Sequence, residues 1–203
     1  MSVLQNMALV INEEQQMLKS SAKEYLKEKS PIAALRHLRD TKDEKGYDPA
    51  VWQQICEMGW TALAIPEAYN GLGFGYVGAG QVMEEMGRTL AASPLFTSAW
   101  LSAPLIEKAG SEHQKTELLS AIADGNLLVT VAVDEGKHHR PLQTAMTAKK
   151  DGEKYYLNGN KTFVLDGNVA DKIVVVARTN GQKGEAKGIS LFLVNADATG
   201  LTI

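Results

Sequence analysis

Cysteine is almost absent from this sequence. One thiol, Cys56, in 203 residues excludes an intrachain disulfide and any zinc site built from several cysteines. Cys56 falls on an apolar helical face, where small buried thiols are common, and no base that could activate it is recognisable. No segment approaches the roughly 18 consecutive apolar residues of a membrane-spanning helix, and the opening MSVLQNMALVI has neither a basic start nor an adequate apolar run for a secretory leader. The cytosol is the expected compartment. An excess of one charge is missing too: the net charge is -3 and the 21 basic residues are scattered, which excludes a nucleic-acid-binding face and a polybasic membrane patch. Small ligands or protein partners are the expected binding targets. Neither a G-x-S-x-G elbow nor a P-loop lysine nor a Ser-His-Asp arrangement is recognisable.

What is present is a chain with 44% apolar residues, enough to bury a core in one large or two small domains. Up to about residue 126 the apolar residues recur three and four apart. Asn12 can cap a helix carrying Glu13 and Glu14 in its first turn and a stripe of Met17, Leu18, Ala22, Tyr25 and Leu26. Ser30 can cap a second, with Pro31 at its first position and Ile32, Leu35 and Leu38 inside. Asp48-Pro49 repeats that device before Val51, Ile55 and Met58, and Gly59 closes the helix. The run from Pro94 to Gly110 is apolar nearly all round and predicts a central helix. Ser111 and Gln114 then make a capping box for a helix through Leu118, Leu119 and Ile122. Five to seven helices are expected here, in an up-and-down arrangement with short links.

Residues 66–80, PEAYNGLGFGYVGAG, interrupt this pattern with five glycines, and Gly73 to Gly78 match G-x-G-x-x-G. A dinucleotide site also needs a strand before the glycines and a second parallel strand after the helix. Thr61 to Ile65 is a poor strand, and another helical stripe follows Val82 to Leu90. The expectation is a loop whose glycines allow close packing on a neighbour, with a pocket-lining loop as the alternative.

After residue 126 the pattern changes. Leu127 to Val133 is a continuous β-prone run, and Thr144, Met146 and Ala148 alternate with polar neighbours toward a turn at Asp151-Gly152. In KYYLNGNKTFVLDGNVADKIVVVAR, residues 154–178, two apolar arms flank Asn158-Gly159 and Asp166-Gly167, pairs suited to positive φ. Ile189 to Val194 adds a further strand. The fold class expected is therefore α+β: a helical domain over 1–126, then a small antiparallel, barrel-like β domain over 127–203. Between strands lies DEGKHHRP, residues 134–141. Its adjacent histidines lack the H-x-x-x-H spacing of a helical metal site, and Asp134 and Glu135 are expected to be solvated rather than an acid-base pair.

Two segments together resemble the acyl-CoA dehydrogenase family. Gly71 to Arg88, with Glu84, Glu85, Gly87 and Arg88, is similar to that family's glycine-containing loop and E-E-x-G-R helix. Leu157 to Gly167 is similar to its L-N-G-x-K-x-W-I-T-N-G segment. The resemblance implies that these residues are the N-terminal helical domain and most of the middle β domain, without the C-terminal helical domain that usually carries the catalytic glutamate. It implies FAD as cofactor, an acyl-CoA thioester as substrate and α,β-dehydrogenation with hydride transfer to flavin. It further implies an electron-transfer flavoprotein as acceptor and a homo- or hetero-oligomeric assembly. Carried over by position, the family's T-E-P-x-x-G-S-D falls on Val133 to Arg140. Val131 and Val133 are then expected to contact the cofactor through their backbone, and His139 to contact cofactor or substrate. Phe163 stands at the aromatic that packs on the flavin, with Val164 and Leu165 beside it. Val133 and Leu165 replace threonines, Glu135 replaces proline, and His139 and Arg140 replace Ser and Asp. Such departures also resemble subunits that pair with a more complete dehydrogenase subunit, which gives a non-catalytic partner as the alternative.

Overall fold

The computed structural model describes residues 11–203, so the opening segment considered above as a leader lies outside the described residues. The chain divides into two compact units, 1–127 and 128–203.

Among the described residues the first unit holds six α-helices: α1 (Glu13–Lys29), α2 (Ile32–Thr41), α3 (Pro49–Glu57), α4 (Gly75–Thr89), α5 (Ala103–Ala109) and α6 (Glu112–Ala123). Both capping boxes form. Asn12 accepts from Gln15 N at 2.8 Å, and Ser111 from Gln114 N at 3.3 Å. Leu26, Ile55, Trp60, Val82, Leu119 and Ile122 are fully buried, and Trp60 meets Tyr25 edge-on at 5.6 Å, a favoured aromatic geometry. The apolar stripe of α1 is narrower than its periodicity predicts, because Met17 is exposed.

Three expectations are corrected here. Ser30 terminates α1 and does not cap α2, whose N-cap is Pro31 without a side-chain bond. The run after Pro94 is not one α-helix. Phe96–Ser102 winds as a π-helix, and Ala103 N donates five residues back to Ser98 O. Pro104 has no N–H for Trp100 O, which accounts for the wider turn at this point. Third, α4 begins at Gly75 and absorbs half of the glycine-rich stretch into a helix. The rest is the close-packed loop expected. A Cβ on Gly71 would lie 1.9 Å from Ile65 O, and the loop is preceded by 3₁₀ turns instead of a strand.

The second unit holds β1 (Val129–Ala132), β2 (Thr147–Asp151), β3 (Lys154–Asn158), β4 (Lys172–Arg178) and β5 (Ile189–Asn195). The strand order is β1-β4-β2-β3, with β5 on β4. An antiparallel barrel-like domain is corrected to an open, mixed sheet. β2–β3 and β4–β5 are antiparallel, but β1 runs parallel to β4 from Val129↔Lys172 to Ala132↔Val175. The sheet curls without closing, and Tyr155 on β3 meets Phe192 on β5 at 5.1 Å. β4 has neighbours on both sides and is buried from Ile173 to Arg178, which explains its unbroken apolar run. Ala132, Ala170, Ile173 and Val175 form the core, with Met146, Leu157, Val164 and Val194 against it.

Candidate functional site

Three segments of the sheet unit converge where β1 ends: residues 133–146, the loop 159–167, and the stretch after β4. Asp134 leaves β1 half-buried, and its carboxylate folds back on its own loop. Oδ2 lies 2.9 Å from His139 Nδ1, and Oδ1 accepts from Arg140 N at 2.9 Å. The hydrogen bond from the His139 ring outweighs burial and, with the Arg140 amide, holds the Asp134 carboxyl below its ordinary range. Lys137 to Arg140 are all exposed, so four consecutive basic-type side chains stand at the surface.

Glu135 behaves differently from the solvated carboxylate expected of it. Its side chain is only 17% exposed, and it pairs with Lys161, 6% exposed, at 2.8 Å. The two carboxylate oxygens also accept from Ala145 N at 2.7 Å and Met146 N at 2.9 Å. Burial pulls the Glu135 carboxyl upward, but Lys161 and the two amides outweigh it, and the net shift is downward. Lys161 spends a second donor on Val133 O at 2.9 Å. A buried ion pair survives desolvation only when its remaining donors and acceptors are satisfied in this way.

The next residues form the shelf. Thr162 N donates to Asp134 O at 2.8 Å, and Thr162 Oγ1 lies 3.2 Å from Gly136 O. Phe163 follows at φ 53, with 77% of its surface exposed. A non-glycine residue in the left-handed region costs about 1–3 kcal/mol and persists only where its surroundings over-determine it. Here both ends are tied, since Leu165 O accepts from the buried Thr130 Oγ1 at 2.5 Å. Val164 packs into the core, and Leu165 is exposed beside Phe163. Asp166, at φ 53, accepts from Val169 N and Ala170 N and closes the loop.

Below this knot Arg178 is buried among main-chain carbonyls. Its guanidinium donates to Thr144 O at 2.8 Å, Lys187 O at 2.9 Å, Leu142 O at 3.0 Å and Glu185 O at 2.8 Å. Residues 142–144 thus hang on Arg178 while 145 and 146 hang on Glu135. Of the six positions singled out from the sequence, Val131 and Val133 lie on β1 and its exit, Phe163, Val164 and Leu165 on the clamped loop, and His139 on the intervening loop. Glu135, Lys161, Thr130 and Arg178 were missed. Glu135–Lys161 carries no local spacing signal, and only the lysine of the L-N-G-x-K pattern pointed to half of it.

Elsewhere, burial pushes the Cys56 thiol up to about 11, which removes it as a thiolate nucleophile at neutral pH. Among the described residues no helix is long and apolar enough to cross a membrane.

The chain matches the description "Acyl-CoA dehydrogenase, N-terminal domain" over residues 12–126 and "Acyl-CoA dehydrogenase, middle domain" over 132–203. A helical unit followed by a mixed-sheet unit carrying the clamped loop is therefore a pair of acyl-CoA dehydrogenase domains. The chain belongs to the acyl-CoA dehydrogenase family. Cyclohex-1-ene-1-carbonyl-CoA dehydrogenase of Geobacter metallireducens is 33% identical over 163 residues, covering 78% of this chain and 43% of that relative. The ChsE4-ChsE5 complex from Mycobacterium tuberculosis superimposes with a TM-score of 0.79 at 27% identity, over 97% of this chain and 50% of that one. An acyl-CoA dehydrogenase from Geobacillus kaustophilus gives 0.77 at 29%, over 94% and 50%. This chain spans about half the length of the curated relatives it matches.

Members of the family are FAD-dependent flavoproteins. The residues present suit such a group on two counts. Phe163 and Leu165 offer exposed apolar surface, and Lys137 and Arg140 offer positive charge for phosphate.

Proposed function

We propose that this chain forms the helical and middle parts of an FAD-dependent acyl-CoA dehydrogenase acting on a CoA thioester. The observation that carries the reading is Phe163, an exposed aromatic ring held at positive φ on a loop tied at both ends. Phe163 and Leu165 give the apolar face on which a flat ring packs, and Val164 fixes that face to the core. The main chain of Val131 and Val133 borders it. His139, with Nδ1 turned to Asp134, presents Nε2 to the phosphates of cofactor or thioester, beside Arg140.

When bound, FAD supplies the acceptor for the hydride that leaves the substrate β-carbon. Neither carboxylate of the knot is placed to take the α-proton. Both oxygens of Asp134 are engaged by its own loop, and Glu135 is committed to Lys161 and two amides. Following the family resemblance, we assign the base to polypeptide outside this chain and reoxidation to an electron-transfer flavoprotein. Purification of the full-length polypeptide is the test. Visible flavin bands at one equivalent per chain are expected, and a colourless, folded protein would refute the reading.

A second reading, a non-catalytic partner subunit in a hetero-oligomer, draws on two observations. The charged run after β1 satisfies much of its hydrogen bonding internally, and a similar solved structure is described as a complex of two named chains. Co-expression with a neighbouring dehydrogenase subunit should then give one stable complex, and a fully active homo-oligomer formed alone excludes it.

A further inference from the structure

We propose that Lys161 and Glu135 are a positioning pair that sets the pose of the Phe163 shelf before any cofactor arrives, a role that rests on the flavoprotein reading above. Phe163 is 77% exposed, so packing of its own ring cannot hold it in the left-handed region. The constraint has to come from its neighbours. On the N-terminal side, Lys161 Nζ bridges Val133 O at 2.9 Å and Glu135 Oε1 at 2.8 Å, and Thr162 N bonds Asp134 O at 2.8 Å. Three consecutive residues leaving β1 are thereby stitched to the two residues that precede Phe163. On the C-terminal side, Leu165 O is held by Thr130 on β1 itself. The shelf thus hangs between β1 and the residues that leave it, and the φ of Phe163 is what remains to close the span.

Glu135 extends this grip. By accepting from Ala145 N and Met146 N it also fixes the start of β2, so the pair joins three segments that the chain order keeps apart. Lys161 is nearly as buried as a core residue, and its charge is spent wholly inside the protein. Its Nζ is engaged by Val133 O and Glu135 Oε1, so it acts through the main chain that carries Val133 and Phe163. A preformed shelf lowers the ordering cost of binding, the usual source of affinity from residues that do not touch the ligand.

The test uses the full-length polypeptide with Lys161→Met, Glu135→Gln, Lys161→Arg, Phe163→Ala and the K161M/F163A double variant. Amide exchange over residues 161–167 and the FAD dissociation constant, read from fluorescence of released cofactor, are measured on each. K161M should speed exchange in that loop about tenfold and weaken FAD about tenfold, while the helical unit exchanges as before. F163A should weaken FAD comparably, and the double variant should be no worse than either single one. Lys161→Arg should restore part of the loss. If K161M does not fold, the near-isosteric Glu135→Gln carries the same expectations. Unchanged exchange, or losses that multiply to about a hundredfold in the double variant, would overturn the positioning role. A loop that loosens in a protein taking up no FAD would uphold the clamp and overturn the flavoprotein reading instead.

Discussion

The two units differ in how deeply their most heavily bonded charges are buried. In the helical unit most ion pairs among the described residues are local and near the surface, as with Arg39 and its neighbour Asp40 or Lys115 and Glu112 one turn away, while the buried Glu85 meets an exposed arginine, Arg88, at 3.2 Å. The pairing of Lys19 with Glu84 links α1 to α4 across 65 residues but is partly exposed, so exposure and not sequence distance is what separates it from the pairs of the sheet unit. In the sheet unit the charges that matter are buried and distant in sequence. Lys161 and Glu135 are 26 residues apart, and Arg178 reaches 34 residues back to Thr144. Exposed pairs of the first kind contribute little, because water screens them and long side chains resist being fixed. Buried groups of the second kind contribute through what their removal leaves stranded.

This contrast breaks first, and most severely, at Arg178. Arg178→Met takes a donor from four carbonyls, of which Leu142 O keeps a second donor in Gly184 N, and is expected to destabilise the sheet unit by about 3 kcal/mol, read as a lowered urea midpoint for sheet signals. Acidification is the next lever. Because the folded Glu135 carboxyl lies below its ordinary value, its stabilisation is complete at neutral pH. That stabilisation drains as pH falls from the unfolded value, about 4.3, through the folded one. Glu135→Gln should therefore be less stable than the parent at pH 7, and the gap should narrow in acid. Urea titrations at two pH values decide this, and a gap that widens in acid contradicts the sign. In the helical unit Ser111→Ala removes one cap and should cost about 1 kcal/mol, measured as loss of helical circular dichroism with temperature. Arg39→Ala should leave the thermal midpoint unmoved, and a clear drop there would remove the distinction between the units.

The same division governs what the sequence disclosed. Helices announced themselves through caps and three-four periodicity, which are local, and α1, α3 and α6 start where Asn12, Asp48 and Ser111 predict. The π-helix at Phe96–Ser102 escaped because hydrophobic periodicity does not register the consequence of Pro104. In the sheet unit individual strands were visible, but not their pairing. Nothing in residues 129–132 or 172–175 says that these runs lie parallel, and the expectation of an antiparallel barrel came from neighbouring strands being close in sequence. The site divides likewise. Phe163, Val164 and Leu165 stood in a recognisable segment. The knot beneath them pairs groups with no common periodicity, and the adjacency of Asp134 and Glu135 suggested one shared environment where the fold supplies two.

The parallel pairing of β1 with β4 also has a consequence in time. Val129 has to wait for Lys172, 43 positions further along the chain, before its strand finds a neighbour. The β2–β3 hairpin, closed by a turn at Gly152, has no such delay. As the polypeptide emerges from the ribosome, the helices can collapse and the hairpin can zip while β1 still shows a bare edge. Long-range closure of this kind is the slow step in folding and the interval when exposed edges aggregate. The strand that anchors the shelf is therefore among the first of the sheet to be synthesised and has to await β4, so conditions that slow elongation between residues 133 and 172 lengthen the period in which β1 needs protection.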